Sequence, residues 1–116
     1  LQFLVKKDVQ FIEKIHQVIE ENLDNSDFNI DTIASTIGLS RSAFFKKLKS
    51  LTGFAPVDLV KEIRLNKSIE LIKNSDMSIS EIAFAVGFKD SGYFSKCFRK
   101  KYDQTPREYM NEWRKG

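Results

Sequence analysis

The stretch GFKDSGYFSKCFRKKYDQTP, residues 87–106, decides the fold of this chain. It opens with a glycine that ends an apolar helical stripe, and a short polar turn follows. Beyond the turn, Phe94 and Phe98 mark the inward side of a second helix, and bases mark its outer side. The stretch therefore predicts two short helices around a tight corner, the second with a basic outer face.

The same pattern occurs earlier in the chain, so the sequence contains an internal repeat. A short helix, a glycine-containing turn and a basic amphipathic helix are typical of helix-turn-helix units, and two are predicted, at about residues 30–53 and 79–103. The small residues have a physical role, since alanine lets two helices approach closely and glycine permits the corner. The matched pairs are Ile30/Ile79, Ile33/Ile82, Ala34/Ala83, Ile37/Val86 and Gly38/Gly87, then Phe44/Phe94, Lys46/Lys96, Leu48/Phe98 and Pro56/Pro106.

The repeats are joined by a third helical pattern at about residues 56–74, which proline starts. Its nineteen residues make a rod of about 28 Å that is apolar at both ends and fits a connecting helix. A packing helix is expected before the first repeat, capped by Asp8 and preceded by a linker or arm at residues 1–7. A final helix is expected at about residues 106–114, with Tyr109, Met110 and Trp113 packed on the second unit.

Polar residues at the expected helix starts support these boundaries. Asn29 and Ser40 are good N-cap residues, and the S-x-x-E sequence at 78–81 and the T-P-x-E sequence at 105–108 are typical of capping boxes. About seven helices are predicted and no strand pattern is seen, so the fold class is all-α.

Positive charge is concentrated on the second helix of each repeat. Residues 1–38 contain three bases and seven acids, whereas residues 39–53 contain four bases and no acid, and residues 89–107 contain six bases and two acids. Clustered bases indicate a phosphate-binding surface, although two solvated helix faces would give the same counts.

The second repeat, I-x-E-I-A-x-x-V-G-F-x-D-x-x-Y-F-S-K-x-F-R-K-x-Y-x-x-T-P-x-E-Y, resembles the signature of AraC/XylS-type bacterial transcription regulators. The resemblance covers residues 8–114 and includes the connecting pattern I-R-L-N-K-S-I-E-L-I. It implies two helix-turn-helix units joined by a long helix, which bind duplex DNA in two successive major-groove segments and then contact RNA polymerase. Separately, the single cysteine, Cys97, allows no internal disulfide and fits a protein of the reducing cytoplasm.

The resemblance assigns DNA-binding roles by position. Lys46 and Lys96 correspond to each other and are the best candidates for reaching guanine edges. Phe45 stands where the family often has a polar reader, so it either touches a thymine methyl group or is buried. Gly92 offers no side chain, so base reading by the second unit is expected to be sparse. The predicted DNA-binding residues are Ser40, Arg41, Ser42, Phe45, Lys46 and Lys49, then Lys89, Ser91, Gly92, Ser95, Lys96, Arg99 and Lys100.

The first helix, D-V-Q-F-I-E-K-I followed by E-N-L-D-N, resembles the output domain of hybrid two-component regulators of polysaccharide use. That likeness implies sensor, kinase and receiver domains elsewhere in the parent protein, and it favours an activator of carbohydrate-utilisation genes. The chain begins at Leu1 rather than Met, which predicts that it is a piece of a longer polypeptide.

Other function classes have weaker support. There is no glycine-rich phosphate loop, and His16 is the only histidine, so no catalytic site, metal site or cofactor is expected. Cys97 is the only cysteine, and either partial burial or a redox role is open to it. The serious alternative is a helical interaction module whose basic stripes bind an acidic protein. The matched pair of basic helices favours a periodic polyanion such as DNA.

Overall fold

The computed structural model describes residues 5–115 and shows seven helices and no strand within that range. The predicted all-α class is therefore confirmed. None of the helices is long and apolar enough to cross a membrane in this part of the chain. The helices are α1 (Lys6–Glu21), α2 (Ile30–Thr36), α3 (Arg41–Thr52), α4 (Pro56–Asn74), α5 (Ile79–Ala85), α6 (Ser91–Tyr102) and α7 (Pro106–Lys115).

The start of α1 is a correction to the sequence-based expectation. The helix begins at Lys6 after Val5, the N-cap residue, and Asp8 lies in its first turn without capping it. An acidic side chain there still faces the positive end of the helix dipole, which is favourable. Lys6 and Lys7 therefore belong to the helix rather than to an arm, and the rest of the predicted arm, residues 1–4, lies outside the described residues.

Side-chain caps begin the short helices as the sequence predicts. The side chain of Asn29 accepts a hydrogen bond from the backbone amide of Thr32 at 3.1 Å. At α5, Ser78 and Glu81 form a complete capping box. Residues 105–108 repeat that reciprocal pair at the start of α7, with bonds of 2.8 and 3.1 Å. These caps satisfy amides that the first turn of a helix leaves unpaired.

Both helix-turn-helix corners have the same hydrogen-bonded turn. At the end of α2, the amide of Leu39 donates to the carbonyl of Ala34 at 2.9 Å, and Gly38 has a φ of +77°. At the end of α5, the amide of Phe88 donates to the carbonyl of Ala83, also at 2.9 Å, and the glycine has a φ of +93°. This hydrogen bond spans six residues and is characteristic of the Schellman motif. The motif requires one residue in the left-handed conformation, which glycine adopts without strain. The repeat seen in the sequence is therefore a repeat of backbone geometry.

The described chain divides into two compact units. The first contains residues up to 22 and residues 27–63, and the second contains residues 23–26 and 64 onward. Helix α4 contributes its first eight residues to the first unit and its remaining residues to the second. The repeats are thus each built into a separate core.

The core of the first unit forms where α1 packs on α2 and α3. Phe44 and Leu48 of α3 are fully buried, as are Ile15 of α1 and Ile33 of α2. Phe11 of α1 meets the edge of the Phe44 ring, with the ring centroids 6.4 Å apart. Burial of this apolar stripe fixes which side of α3 remains outward.

The core of the second unit is aromatic. Phe94 and Phe98 of α6 are fully buried, 5.7 Å apart, and Phe88 lies edge-on to Phe94 at 5.2 Å. Tyr109 of α7 reaches Phe98 at 5.8 Å. Trp113 is not part of this core: it is 52% exposed, and Lys73 lies 4.3 Å from its ring centroid. Trp113 therefore packs at the surface of the second unit rather than in its core.

A buried arginine of α4 ties three backbone segments together, and no sequence pattern indicated it. Arg64 is 7% exposed and donates to the carbonyls of Leu23, Val86 and Asn25 at 3.0, 2.9 and 3.4 Å. Burial lowers the pKa of Arg64, but a guanidinium stays charged in proteins. Its bond to Val86 holds the end of α5 directly before the turn at Gly87.

Candidate nucleic-acid interface

Helix α3 presents the first set of predicted contact residues on its outer side. The hydroxyl of Ser40 accepts a hydrogen bond from the amide of Ala43 at 3.1 Å and so fixes the start of the helix. Phe44 and Leu48 are directed into the core. The stripe that contains Phe45, about 100° round the helix from Phe44, therefore faces solvent. The exposed side chains on it are Arg41, Ser42, Phe45, Lys46 and Lys49.

Two bases of this helix have partners within the first unit. Arg41 lies 3.5 Å from the carboxylate of Asp31 on α2, and both side chains are about two-thirds exposed (70% and 66%). An ion pair that is long and hydrated contributes little, so Arg41 can exchange Asp31 for a phosphate or a base at small cost. Lys47, in contrast, sits 4.3 Å above the ring of Phe11 on α1. This contact turns Lys47 away from the stripe.

Phe45 is 48% exposed although it is a large apolar side chain. Of the two outcomes left open by the sequence, the structure therefore shows an accessible ring rather than a core residue. It lines a cleft together with Arg41 and the residues that begin α4. The neighbouring Lys46 is exposed on the same helix face.

Helix α6 presents the second set. The carboxylate of Asp90 caps its start by accepting from the amide of Gly92 at 2.8 Å. Ser91 and Ser95 are half-buried rather than fully exposed, so their hydroxyls are less accessible than the equivalent positions of α3. Cys97 is 9% exposed, as expected for partial burial between Phe94 and Phe98. The exposed predicted residues of this set are Lys89, Gly92, Lys96, Arg99 and Lys100.

The last turn of α6 separates a structural lysine from an outward one. Lys101 donates to the amide oxygen of Asn66 on α4 at 2.8 Å, and the hydroxyl of Tyr102 donates to the same oxygen at 3.1 Å. These bonds hold the end of α6 on α4. Lys100, the adjacent residue, is exposed.

Gly92 limits what the second set can read. A methyl group added there would lie 3.2 Å from the nearer carboxylate oxygen of Asp90, so a side chain fits only if the cap shifts slightly. The backbone needs no left-handed conformation at this position. The glycine therefore leaves the surface one turn before Lys96 without a side chain.

A family model described as a helix-turn-helix domain matches residues 33–112 of the chain. The structure of a transcriptional regulator with an AraC-type DNA-binding domain from Chromobacterium violaceum superposes with a TM-score of 0.83. It is 27% identical, over 93% of this chain and 96% of that one. The chain belongs to the AraC-type helix-turn-helix family.

Other relatives of this AraC-type domain indicate what such domains bind and where they occur. The DNA-binding domain of the global transcriptional factor AdpA, solved in complex with a target DNA, has a TM-score of 0.82 at 28% identity, over 90% of this chain and 93% of that one. Histidine kinase P4 of Formosa agariphila is 38% identical over 106 residues, which are 91% of this chain and 8% of that protein. The chain thus spans a small part of the length of that relative. As a member of the AraC-type family, it is a sequence-specific DNA-binding domain of transcription regulation.

Proposed function

We propose that this domain binds duplex DNA with α3 in one major-groove segment and α6 in the next. The observation that carries the proposal is the matched pair of helices, each fixed by a cap and a Schellman turn, with its apolar side buried and its basic side exposed. A helix that enters the major groove needs such an outer face, because phosphates flank the groove and base edges line its floor.

The proposed role of the domain is the DNA-binding output of a two-component regulator. The match to a histidine kinase that is many times longer supports this, because the chain corresponds to only 8% of that protein. The likeness of α1 to hybrid regulators of polysaccharide use extends the proposal to activation of carbohydrate-utilisation genes through contact with RNA polymerase in the cytoplasm. Sensor, kinase and receiver domains would then lie elsewhere in the parent protein.

Within the interface, we assign base reading to Lys46 and Lys96 and phosphate contacts to Lys49 and Lys100. Lys46 and Lys96 are equivalent in the repeat, and both are exposed. Arg41, Ser42, Arg99 and the remaining predicted residues complete the two surfaces. A lysine that donates to guanine O6 and N7 discriminates one base pair, whereas a phosphate contact discriminates none.

Alanine variants separate these roles. Lys46→Ala and Lys96→Ala are each expected to cost about 1–3 kcal/mol of binding free energy on the preferred site and to relax the preference at one base pair. Lys49→Ala and Lys100→Ala are expected to weaken binding to all sequences similarly and to lower the salt slope by about one unit. Binding is measured by titration against a site selected from random duplexes and against random DNA, at several salt concentrations.

Lys47→Ala is the matched control, because it removes the same charge from a residue that lies over Phe11. It is expected to leave the base preference unchanged. Equal losses on selected and random DNA for Lys96→Ala would contradict its role as a reader. Failure of the unaltered domain to bind duplex DNA in a salt-dependent way would contradict the proposed function and favour an acidic protein partner.

A further inference from the structure

A cleft of about 100 Å³ opens beside the basic stripe of α3. One of its walls is formed by two side chains one turn apart on α3, and the other by the residues where α4 begins. Its lining combines apolar side chains with a single guanidinium. The residues are Ile30, Arg41, Phe45, Ala55, Pro56 and Val57, all of the first unit.

The two largest exposed apolar surfaces of this cleft lie on opposite walls. Phe45 is 48% exposed and Val57 is 60% exposed. Phe45 is not needed in the core, because Phe44 and Leu48 already fill the inward stripe of α3. Contact between apolar surface and water is unfavourable. An apolar group placed between the two walls would bury part of this surface and so lower the free energy.

The charge around the cleft indicates the kind of molecule that carries this apolar group. Arg41 lines the cleft, and Lys46 and Lys49 are exposed on the same helix. Two acids lie near these bases: Asp31, which Arg41 holds at 3.5 Å, and Asp58, which is exposed beside Val57 in the first turn of α4. The three bases outnumber them. The surroundings therefore fit a polyanion better than an apolar peptide.

In the major groove of DNA, the apolar group displayed on the base edges is the 5-methyl group of thymine. A methyl group is close in size to a water molecule, which occupies about 30 Å³ in the liquid, so it fits within the cleft. Phe45 precedes Lys46 directly, so the two side chains diverge by about 100° and reach neighbouring positions along the groove.

We propose that this cleft takes the 5-methyl group of a thymine next to the base pair contacted by Lys46. Phe45 then reads a base rather than filling space, and Val57, at the start of α4, becomes a specificity-determining residue outside the recognition helix. This inference rests on the proposed DNA-binding function. It adds the identity of one base and the source of its recognition.

Replacement of thymine by deoxyuridine tests the contact, because it removes the methyl group alone. Each thymine in the block read by α3 is replaced singly in the selected duplex, and the affinity of the unaltered domain is measured. We expect an affinity loss of about fourfold at one position, the effect of exposing one buried methyl group. The other positions are expected to change little.

The same titrations on protein variants assign the effect to the cleft. Phe45→Ala and Val57→Ser are each expected to bind the thymine and deoxyuridine duplexes with nearly equal affinity. Val9→Ser is the control, because Val9 is 39% exposed on α1 and does not line the cleft. It should keep the fourfold difference. Thermal melting of each variant shows that the folded state is retained.

The possible results distinguish a failure of the thymine contact from a failure of the proposed DNA-binding function. Specific binding that is insensitive to deoxyuridine at every position, or a fourfold difference that persists in both Phe45→Ala and Val57→Ser, would overturn the thymine contact and leave DNA binding intact. A selected block without thymine would overturn it as well. The absence of any sequence preference would instead contradict the proposed function.

Discussion

Gly87 and Gly38 occupy equivalent turns, but only one of them has a crowded environment. A methyl group at Gly87 would overlap the guanidinium of Arg64 and lie 2.2 Å from the carbonyl oxygen of Leu23. At Gly38 nothing lies within 4 Å of the same atom. Gly87 is therefore required both by its positive φ and by the packing around it, whereas Gly38 is required by its positive φ alone.

This pair yields a stability prediction. Gly38→Ala is expected to reduce the free energy of unfolding by about 1–2 kcal/mol, the cost of a left-handed alanine. Gly87→Ala is expected to cost about 1–3 kcal/mol more for each buried carbonyl that loses its bond when Arg64 is displaced. Denaturant unfolding of both variants measures the difference. Equal losses would show that Arg64 can retract without penalty and that its bonds to Leu23 and Val86 contribute little.

At the scale of the helices, the sequence predicted the features that depend on neighbouring residues, such as helix bounds. The bounds of α4 agree with the predicted residues 56–74 because proline starts this helix and its interior has no breaker. The start of α1 was missed because Val5 has no capping side chain to signal it. Arg64 was missed since its partners are carbonyls at residues 23, 25 and 86, and such distant pairings leave no periodic pattern.

In the candidate site as well, the sequence predicted which side chains are exposed but not which partners they contact. The exposed stripe of α3 follows from its apolar period, so Lys46 and Lys49 were predictable. The pairing of Arg41 with Asp31 and the placement of Lys47 over Phe11 depend on how α1 and α2 pack on α3. Sequence periodicity fixes the direction of a side chain but does not identify its partner.

The capping boxes predict a dependence of stability on pH. Hydrogen bonds from the backbone and side chain of Ser78 lower the pKa of Glu81, and those of Thr105, together with the charge of Arg99, lower the pKa of Glu108. A carboxyl group with a lower pKa in the folded state stabilises that state above its unfolded pKa. This stability is lost as the pH falls below about 4.3 and through the folded pKa.

The double variant Glu81→Gln/Glu108→Gln tests this dependence, because glutamine can keep the capping bond without titrating. Its free energy of unfolding is expected to fall less steeply between neutral pH and pH 3 than that of the unaltered domain. Glu13→Gln/Glu20→Gln removes two exposed carboxylates of α1 and is the matched control. A slope that the capping variant leaves unchanged and the control reduces would contradict the prediction.

At the scale of the whole domain, charge is separated between helices with different roles. The outer face of α1 is acidic, with Glu13, Glu20 and Glu21 exposed, whereas α3 and α6 have basic outer faces. Phosphates are repelled by the first surface and attracted by the other two. In the first unit, the charge pattern therefore favours an orientation that turns α3, rather than α1, toward DNA.

If both units read DNA, the preferred site has a defined spacing. One 19-residue helix, α4, joins the units, and its length of about 28 Å is similar to the roughly 34 Å between successive major-groove segments on one face of the duplex. The preferred site is therefore expected to contain two contacted blocks about 10 bp apart.

The measurement is a titration of the domain against the selected site, the same site with about half a helical turn (roughly 5 bp) inserted between the blocks, and the same site with a full turn inserted. The half-turn insertion carries the second block to the opposite side of the duplex, where α6 can hold only phosphates. Affinity is then expected to fall most of the way to the value for random DNA. Affinity that is unchanged by the half-turn insertion would show instead that a single unit reads the site.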